Sequence, residues 1–172
     1  MKKIIALALS LVLCISVFAA VAETPSITMS DLVKAEYTNP VNDGFALVLA
    51  DVPAEGWIAE KVATLKSAAD LDPEAVAAAG GAADWEINEA FAIAVAGVEE
   101  STPDVGVTLS FPTQYNAGAG AGVVITFADN SAVGIPATAN EDGTISATFE
   151  KDLLDRLASE TALLTVINAP AN

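Results

Sequence analysis

Two hydrophobic periods divide this chain, and the switch between them falls near Asp84. Downstream of it, apolar side chains recur every second residue, the repeat of a strand with one buried face. Trp85, Ile87, Phe91, Ile93 and Val95 fall on one side of the first run, with Ala90, Ala92, Ala94 and Ala96 opposite. Val105, Val107, Leu109 and Phe111 alternate with Gly106, Thr108 and Ser110. Val123, Ile125 and Phe127 predict a third strand, Ala132 to Thr138 a fourth, and Ile145, Ala147 and Phe149 a fifth. Leu163, Leu164, Val166 and Ile167 are apolar on both faces, which predicts a central strand covered on each side. Strands at this spacing, broken at Asp129-Asn130 and Asp142-Gly143, point to an antiparallel β-sandwich. One helix interrupts them: Phe149, Leu153, Leu154 and Leu157 share a face between Glu150 and Ser159, placed to close one end of the sandwich.

Upstream of the switch the texture is mixed. Ser26 to Tyr37 and Phe45 to Ala50 read as strands, separated by the turn-rich Asn39-Pro40-Val41-Asn42-Asp43-Gly44. Trp57 or Ile58, Val62, Leu65 and Ala69 recur at helical spacing and predict an amphipathic helix from about Pro53 to Ala69. A second, short helix is punctuated at both ends. Asp72 can cap it, Pro73 suits the first helical position, and Gly80-Gly81 ends it after the Ala-rich stretch Ala75 to Ala79. The expected class is α+β, mainly β: a C-terminal sandwich over residues 84–172, preceded by a small helix-containing region over 23–83.

Residues 1–22 set the expected address. Lys2 and Lys3 precede an uncharged run from Ile4 to Val21, which ends in Ala20-Val21-Ala22 before Glu23. That is the layout of a secretory signal peptide with a small-x-small cleavage site, and it predicts a secreted or cell-surface protein. The run approaches the roughly 20 residues that span a bilayer, but Ala19, Ala20 and Ala22 crowd its end and no basic stop-transfer flank follows. A lipoprotein reading would use Cys14, where Leu13 is too bulky and the apolar run continues past the thiol.

Cleavage after Ala22 leaves 150 residues with neither Cys nor His. A chain of that size buries roughly 70% of its unfolded surface and needs no disulfide to hold a core. Zinc and copper sites, which draw on imidazole and thiolate, become poor expectations. Beyond the leader only Lys34, Lys61, Lys66, Lys151 and Arg156 stand against 23 acidic residues, a net charge of −18. Nucleic-acid backbones and anionic membranes would repel such a surface, so the expected partner is a protein or a glycan.

Several framework segments carry a resemblance: Asn88-Glu89-Ala90-Phe91, Val107 through Tyr115, Asp142-Gly143-Thr144-Ile145 running into Phe149, and Asp152-Leu153-Leu154-Asp155-Arg156-Leu157. With these the chain resembles a family of uncharacterised secreted or cell-surface proteins of anaerobic Gram-positive bacteria. The resemblance implies an immunoglobulin-like C-terminal sandwich and an extracellular location, and it brings no active-site residues. The run Asn-Ala-Gly-Ala-Gly-Ala-Gly from Asn116 to Gly122 departs from the more ordinary polar turn of similar proteins.

Candidate chemistry is sparse. Gly118-Ala119-Gly120-Ala121-Gly122 has the glycine density of a phosphate loop, but such loops precede a helix and here a strand is predicted next, so a flexible hairpin connection is the expectation. Asn140-Glu141-Asp142-Gly143 gathers oxygens in a turn. A calcium site needs about six or more oxygens in an ordered spacing, and Asp-Gly is in any case a hairpin turn signal. Calcium is the one metal left room for, there or from scattered Asp and Glu, and no metal or cofactor residue is assigned. Asp84, Glu86 and Glu89 beside Trp85 could serve a glycosidase as acid, base and sugar platform, if two carboxyls faced each other at roughly 5–9.5 Å. Without His, a mature Cys or a Ser-x-x-Lys, the usual nucleophile–base pairs have no members. Trp57 and Trp85 sit at positions that suit core packing. The expectation is an exported non-enzymatic binding or structural module with no catalytic residue. The alternative is a carboxylate-based extracellular glycan hydrolase.

Overall fold

The computed structural model describes residues 33–111, 115 and 118–170. The predicted leader (1–22) and the first part of the strand expected from Ser26 lie outside the described residues. The elements in chain order are β1 (Lys34–Tyr37), β2 (Ala46–Ala50), α1 (Trp57–Thr64), a 3-10 turn (Ala68–Asp70), α2 (Pro73–Ala78), β3 (Glu86–Ala96), β4 (Val105–Ser110), β5 (Gly120–Thr126), β6 (Ala132–Ala139), β7 (Ile145–Phe149), α3 (Lys151–Ser159) and β8 (Ala162–Asn168). Among the described residues no helix is long and apolar enough to cross a membrane.

The strands form one antiparallel sheet in the order β1-β4-β7-β6-β5-β8-β3-β2, rolled on itself into a sandwich with barrel-like character. The roll follows from the alternation. Val107 and Leu109 of β4, Ile145 and Phe149 of β7, Ile125 of β5, Leu164 of β8, Ile93 of β3 and Leu47 of β2 belong to one buried cluster. Strands near opposite ends of the sheet can share a core only if the sheet folds over, and it folds at β6–β7. There pairing is confined to Ala137↔Ala147, Thr138↔Ser146 and Ala139↔Ile145.

Both outer strands come from the segment before the switch in period: β1 pairs with β4, and β2 pairs with β3. Those edges approach each other. The Leu47 amide of β2 donates to the Tyr37 hydroxyl at 2.8 Å, and the Tyr37 and Phe45 rings meet edge-on at 5.3 Å. A ring thus occupies the seam and satisfies an edge amide that another chain could otherwise use.

β8 lies between β5 and β3 and is buried on both faces, as its apolar residues on both sides predict. Leu164 and Val166 enter the main core, Leu163 lies under α1 and Ile167 under α2. Thr165, fully buried among them, gives its hydroxyl hydrogen to the Val124 carbonyl at 3.0 Å. α3 closes one end with Leu153, Leu154 and Leu157. Its Arg156 pairs with Glu160 (2.7 Å) and Asp129 (3.0 Å), and its guanidinium lies 3.5 Å above the ring of Phe127.

Three expectations change. The side assignment along β3 inverts at a bulge, because the register with β8 shifts between Ile87 and Glu89. Asn88 is the extra residue, so Trp85 and Ile87 pack under the helices while Phe91, Ile93 and Val95 face the core. The helix expected over Pro53–Ala69 stops at Thr64. Asp70 accepts the Lys66 and Ser67 amides (2.8 and 3.2 Å) and nucleates a separate 3-10 turn, which buries Ala68 instead of Ala69. The glycine run is not a flexible connection throughout, since Gly120 and Gly122 lie inside β5.

Those glycines form a seat. A β-carbon at Gly122 would lie 2.6 Å from the Ala79 carbonyl oxygen, and one at Gly134 on the neighbouring β6 would overlap the Ala75 carbonyl. At Gly120 it would meet the Trp85 ring at 2.7 Å. Bare backbone on this face lets α2 and Trp85 lie directly on the sheet. α2 is held there by the predicted punctuation: Asp72 accepts the Ala75 amide at 2.9 Å, and Gly80 adopts φ 80° while the Gly81 amide returns to Val76.

Candidate functional site

A groove of about 460 Å³ opens where β6 and β7 part. Its origin is Pro136. Proline has no amide hydrogen, so in a strand paired along its whole length with β5 it must turn its nitrogen away from that partner. It therefore faces β7, where it cannot donate, and the β6–β7 ladder stops at the next residue, Ala137.

Parity then fixes which backbone groups line the opening. In antiparallel pairs, residues alternate between bonding one neighbour and the other. Gly134 and Ala132 share the parity of Pro136, so their N–H and C=O groups point away from β5, but the lining of the groove on this strand begins at Ile135. From the opposite wall, Thr148 shares the parity of Ser146, which is paired with Thr138, so its N–H faces β6 and donates to the Pro136 carbonyl as the last bond of the ladder, while its own carbonyl faces a proline nitrogen that has no hydrogen to give. The partner of Thr148 across β4 is Gly106, and its bonds confirm the parity: Gly106 donates to Asn39 at 2.7 Å and accepts from Thr38 at 2.8 Å, both away from β7.

Side chains complete the lining. Thr38, Thr138, Ser146 and Thr148 offer hydroxyls, while Asp104 and Glu150 bring negative charge and no Lys or Arg lines the groove. Asp104 is already engaged, accepting the Lys151 amide at 2.8 Å and so capping α3. Asn39 fastens the rim: it receives the Gly106 amide and donates to the Asp104 carbonyl at 3.0 Å, extending the β1–β4 ladder with a side chain.

The residues singled out in the sequence lie elsewhere. Trp85 packs under the helices against Gly81 and Gly120, on the face opposite Glu89, so the bulge at Asn88 separates the supposed platform from that acid. Trp57 packs against Ile58, Ala92 and Leu163. In the Asn140–Gly143 turn the oxygens serve the turn itself. The Asp142 carboxylate accepts the Thr144 hydroxyl (2.6 Å) and amide (3.1 Å), which holds its pKa below the usual value, and Asn140 donates to Thr144 and Ser146 at 2.8 Å. Asp129 is lowered in the same way by the Ser131 hydroxyl and amide, with Arg156 adding attraction. Arg156 is raised, chiefly by its bond to Glu160. Gly118–Gly122 runs into a strand, with no helix N-terminus at hand.

One buried polar group stands apart. The Tyr115 hydroxyl has no hydrogen bond of ordinary geometry among the described residues, and its ring packs on Phe111 at 5.8 Å. Burial pushes its pKa well above the ordinary tyrosine value, the Glu89 carboxylate adds to this, and the Asn88 amide opposes it.

Reading strands from periodicity missed the groove. The available signal was Pro136 inside the apolar run Ala132–Thr138, which restricts where the strand can pair. Compared with protein-family models, curated proteins and solved structures, the chain matches none.

Proposed function

We propose that this chain is an exported extracellular or cell-surface module that binds a protein or glycan without catalysis, using the β6–β7 groove. The groove is the observation that carries this reading. Its volume lies within the roughly 300–1,000 Å³ typical of ligand sites, and it offers the hydroxyls of Thr38, Thr138, Ser146 and Thr148 beside the carboxylates of Asp104 and Glu150. Asp104, one of its two acids, is committed to capping a helix, an arrangement suited to holding a surface in shape. The immunoglobulin-like character of the sandwich, and kinship with secreted proteins of anaerobic Gram-positive bacteria, belong to the same proposal. They are supported by the antiparallel in–out alternation and by the framework segments of the resemblance.

Two measurements test it. Expression with the leader intact should yield extracellular protein beginning at Glu23, read by N-terminal sequencing. Panning residues 23–172 on protein and glycan arrays should give ligands whose binding shifts the amide resonances of Gly106 and Thr148. Turnover of a cell-wall or polysaccharide substrate, abolished by a single carboxylate change, would overturn the non-enzymatic reading.

A further inference from the structure

Resting on that reading of the groove, we infer that its ligand is a glycan with free amines, an amino sugar whose ammonium meets Glu150 and whose hydroxyls meet Thr38, Thr138 and Thr148. The first observation is a surplus of acceptors. The Thr148 carbonyl faces the Pro136 nitrogen, which has no hydrogen to give. A backbone carbonyl left in that way takes its donor from whatever enters the groove. Ser146 is already engaged, bonded to the Thr108 hydroxyl at 3.0 Å and accepting from Asn140 at 2.8 Å. That leaves the exposed Thr38, Thr138 and Thr148, whose hydroxyls can each give or take a hydrogen bond. A polyhydroxyl ligand has the same two-way capacity around its ring.

The second observation is a carboxylate that the fold does not use. Glu150 occupies the N-cap position of α3, yet its side chain makes no capping bond. Asp104 performs that task instead, accepting the Lys151 amide at 2.8 Å. Glu150 is exposed on the groove, no Lys or Arg is among the lining residues, and the neighbouring Lys151 pairs with Asp155. A cation is the complement of such a group, and a charge-assisted hydrogen bond is roughly twice as strong as a neutral one. The excess of acids over the whole chain, 23 against 7 basic residues, steers a cationic sugar in and turns an anionic one away.

Shape supplies the third. The polar groups arrive from separate stretches: Thr38 follows β1, Asp104 precedes β4, Thr138 lies on β6, Thr148 on β7, and Glu150 opens α3. They surround the opening rather than follow one line, which suits a compact ring with substituents on every side. The floor beneath is bare, because Gly106, the partner of Thr148, brings no side chain. The Thr38 hydroxyl lies 2.1 Å from where a β-carbon of Gly106 would stand. Among the described residues no aromatic ring lines the groove. Charge and hydrogen bonds, rather than stacking, therefore hold the sugar, and binding of that kind is screened by salt.

The test is to titrate chitosan oligosaccharides, whose sugars carry free amines, into protein expressed from the full chain, reading amide shifts and calorimetry. Their N-acetylated counterparts and tetralysine serve as comparisons. The amine form should shift the Gly106 and Thr148 amides, and its affinity should fall with added salt and as pH rises through the pKa of the sugar amine. The N-acetylated form should bind about tenfold more weakly or worse, and Glu150→Gln should weaken the amine form by about tenfold. Thr138→Val should weaken it about threefold. Should either variant misfold, the N-acetylated comparison makes the same test on the unaltered protein. Equal binding of the N-acetylated form, or indifference to Glu150→Gln in a folded variant, overturns the assignment of an amine. Tetralysine shifting the same amides as strongly overturns the assignment of a sugar. Both of those outcomes leave the binding-module reading standing. No shift at these amides with the amine form overturns the inference, and the same failure across the protein and glycan arrays overturns both.

Discussion

Gly134→Ala is the sharpest probe of how this fold is held, because two readings of the glycine predict opposite signs. Gly134 is not in a positive-φ conformation, so backbone strain plays no part. If the glycine were merely a loose spot in a strand, alanine would stabilise by about 0.5–1 kcal/mol through the lower entropy of its unfolded state. The structure gives the added methyl no room. It would overlap the Ala75 carbonyl oxygen and lie 2.7 Å from the Ala79 amide nitrogen, backbone atoms of α2 and of its C-terminal cap that no side-chain rotation can move. To restore ordinary contact the helix must retreat by roughly 1.5 Å, and a gap of even about 1 Å forfeits up to half of the dispersion energy across the interface. The interface is the cluster of Ala75, Val76, Ala79, Val124 and Ile167. Overpacking costs about 1–3 kcal/mol, and a clash with unyielding backbone belongs in the upper half of that range, about 2–3 kcal/mol. Less the propensity gain, the net expectation is about 1–2.5 kcal/mol of destabilisation. For a chain of this size that lowers Tm by roughly 2–10 °C. The assay is thermal and urea unfolding of residues 23–172, with Gly118→Ala as reference; Gly118 has φ 76° and open space around it, so it reports conformational strain alone. A Tm for Gly134→Ala at or above that of the parent would refute the seat.

Three further outcomes are expected. Asp104→Ala removes the carboxylate that accepts the Lys151 amide, and should cost about 1 kcal/mol by urea denaturation with faster amide exchange in the first turn of α3. Tyr37→Phe leaves the Leu47 amide at the sheet edge without its acceptor, and should cost about 1 kcal/mol and speed exchange at Leu47 selectively. Asp129 and Asp142 have folded-state pKa values below the ordinary one, so their contribution is complete above the unfolded value near 3.8 and is lost as pH falls through the folded values. Replacing both by Asn should flatten the fall in stability below about pH 4, and carbon-detected titration should show both ionising below the ordinary aspartate value.

Much of the fold was legible because burial writes itself in periods. The two-faced run Leu163–Ile167 became the central strand, and Asp72, Pro73 and Gly80 bounded α2 as their capping chemistry requires. What stayed hidden follows from effects that leave no periodic trace. A bulge needs one extra residue, and Asn88 looks like any other polar residue until the register with β8 is known. Gly122 and Gly134 look like flexibility in one dimension and become a contact surface only when α2 lies on them. The groove depends on which way Pro136 turns its nitrogen, a matter of pairing partners rather than composition. Asp104 and Glu150 are far apart in sequence and meet only because α3 starts beside the entry to β4.

The place of β8 has a consequence for how the molecule comes into being. An interior strand of the sheet, with neighbours on both sides, is the last one in chain order among the described residues, whereas the two at its margins are the first. Growth cannot proceed outward from an early nucleus, and β3 and β5 must wait for a mate that arrives after everything else. A product shortened before Ala162 would be missing its keystone rather than its fringe, so it should behave as an unfolded chain and be cleared by proteases instead of persisting as a slightly smaller version of the whole.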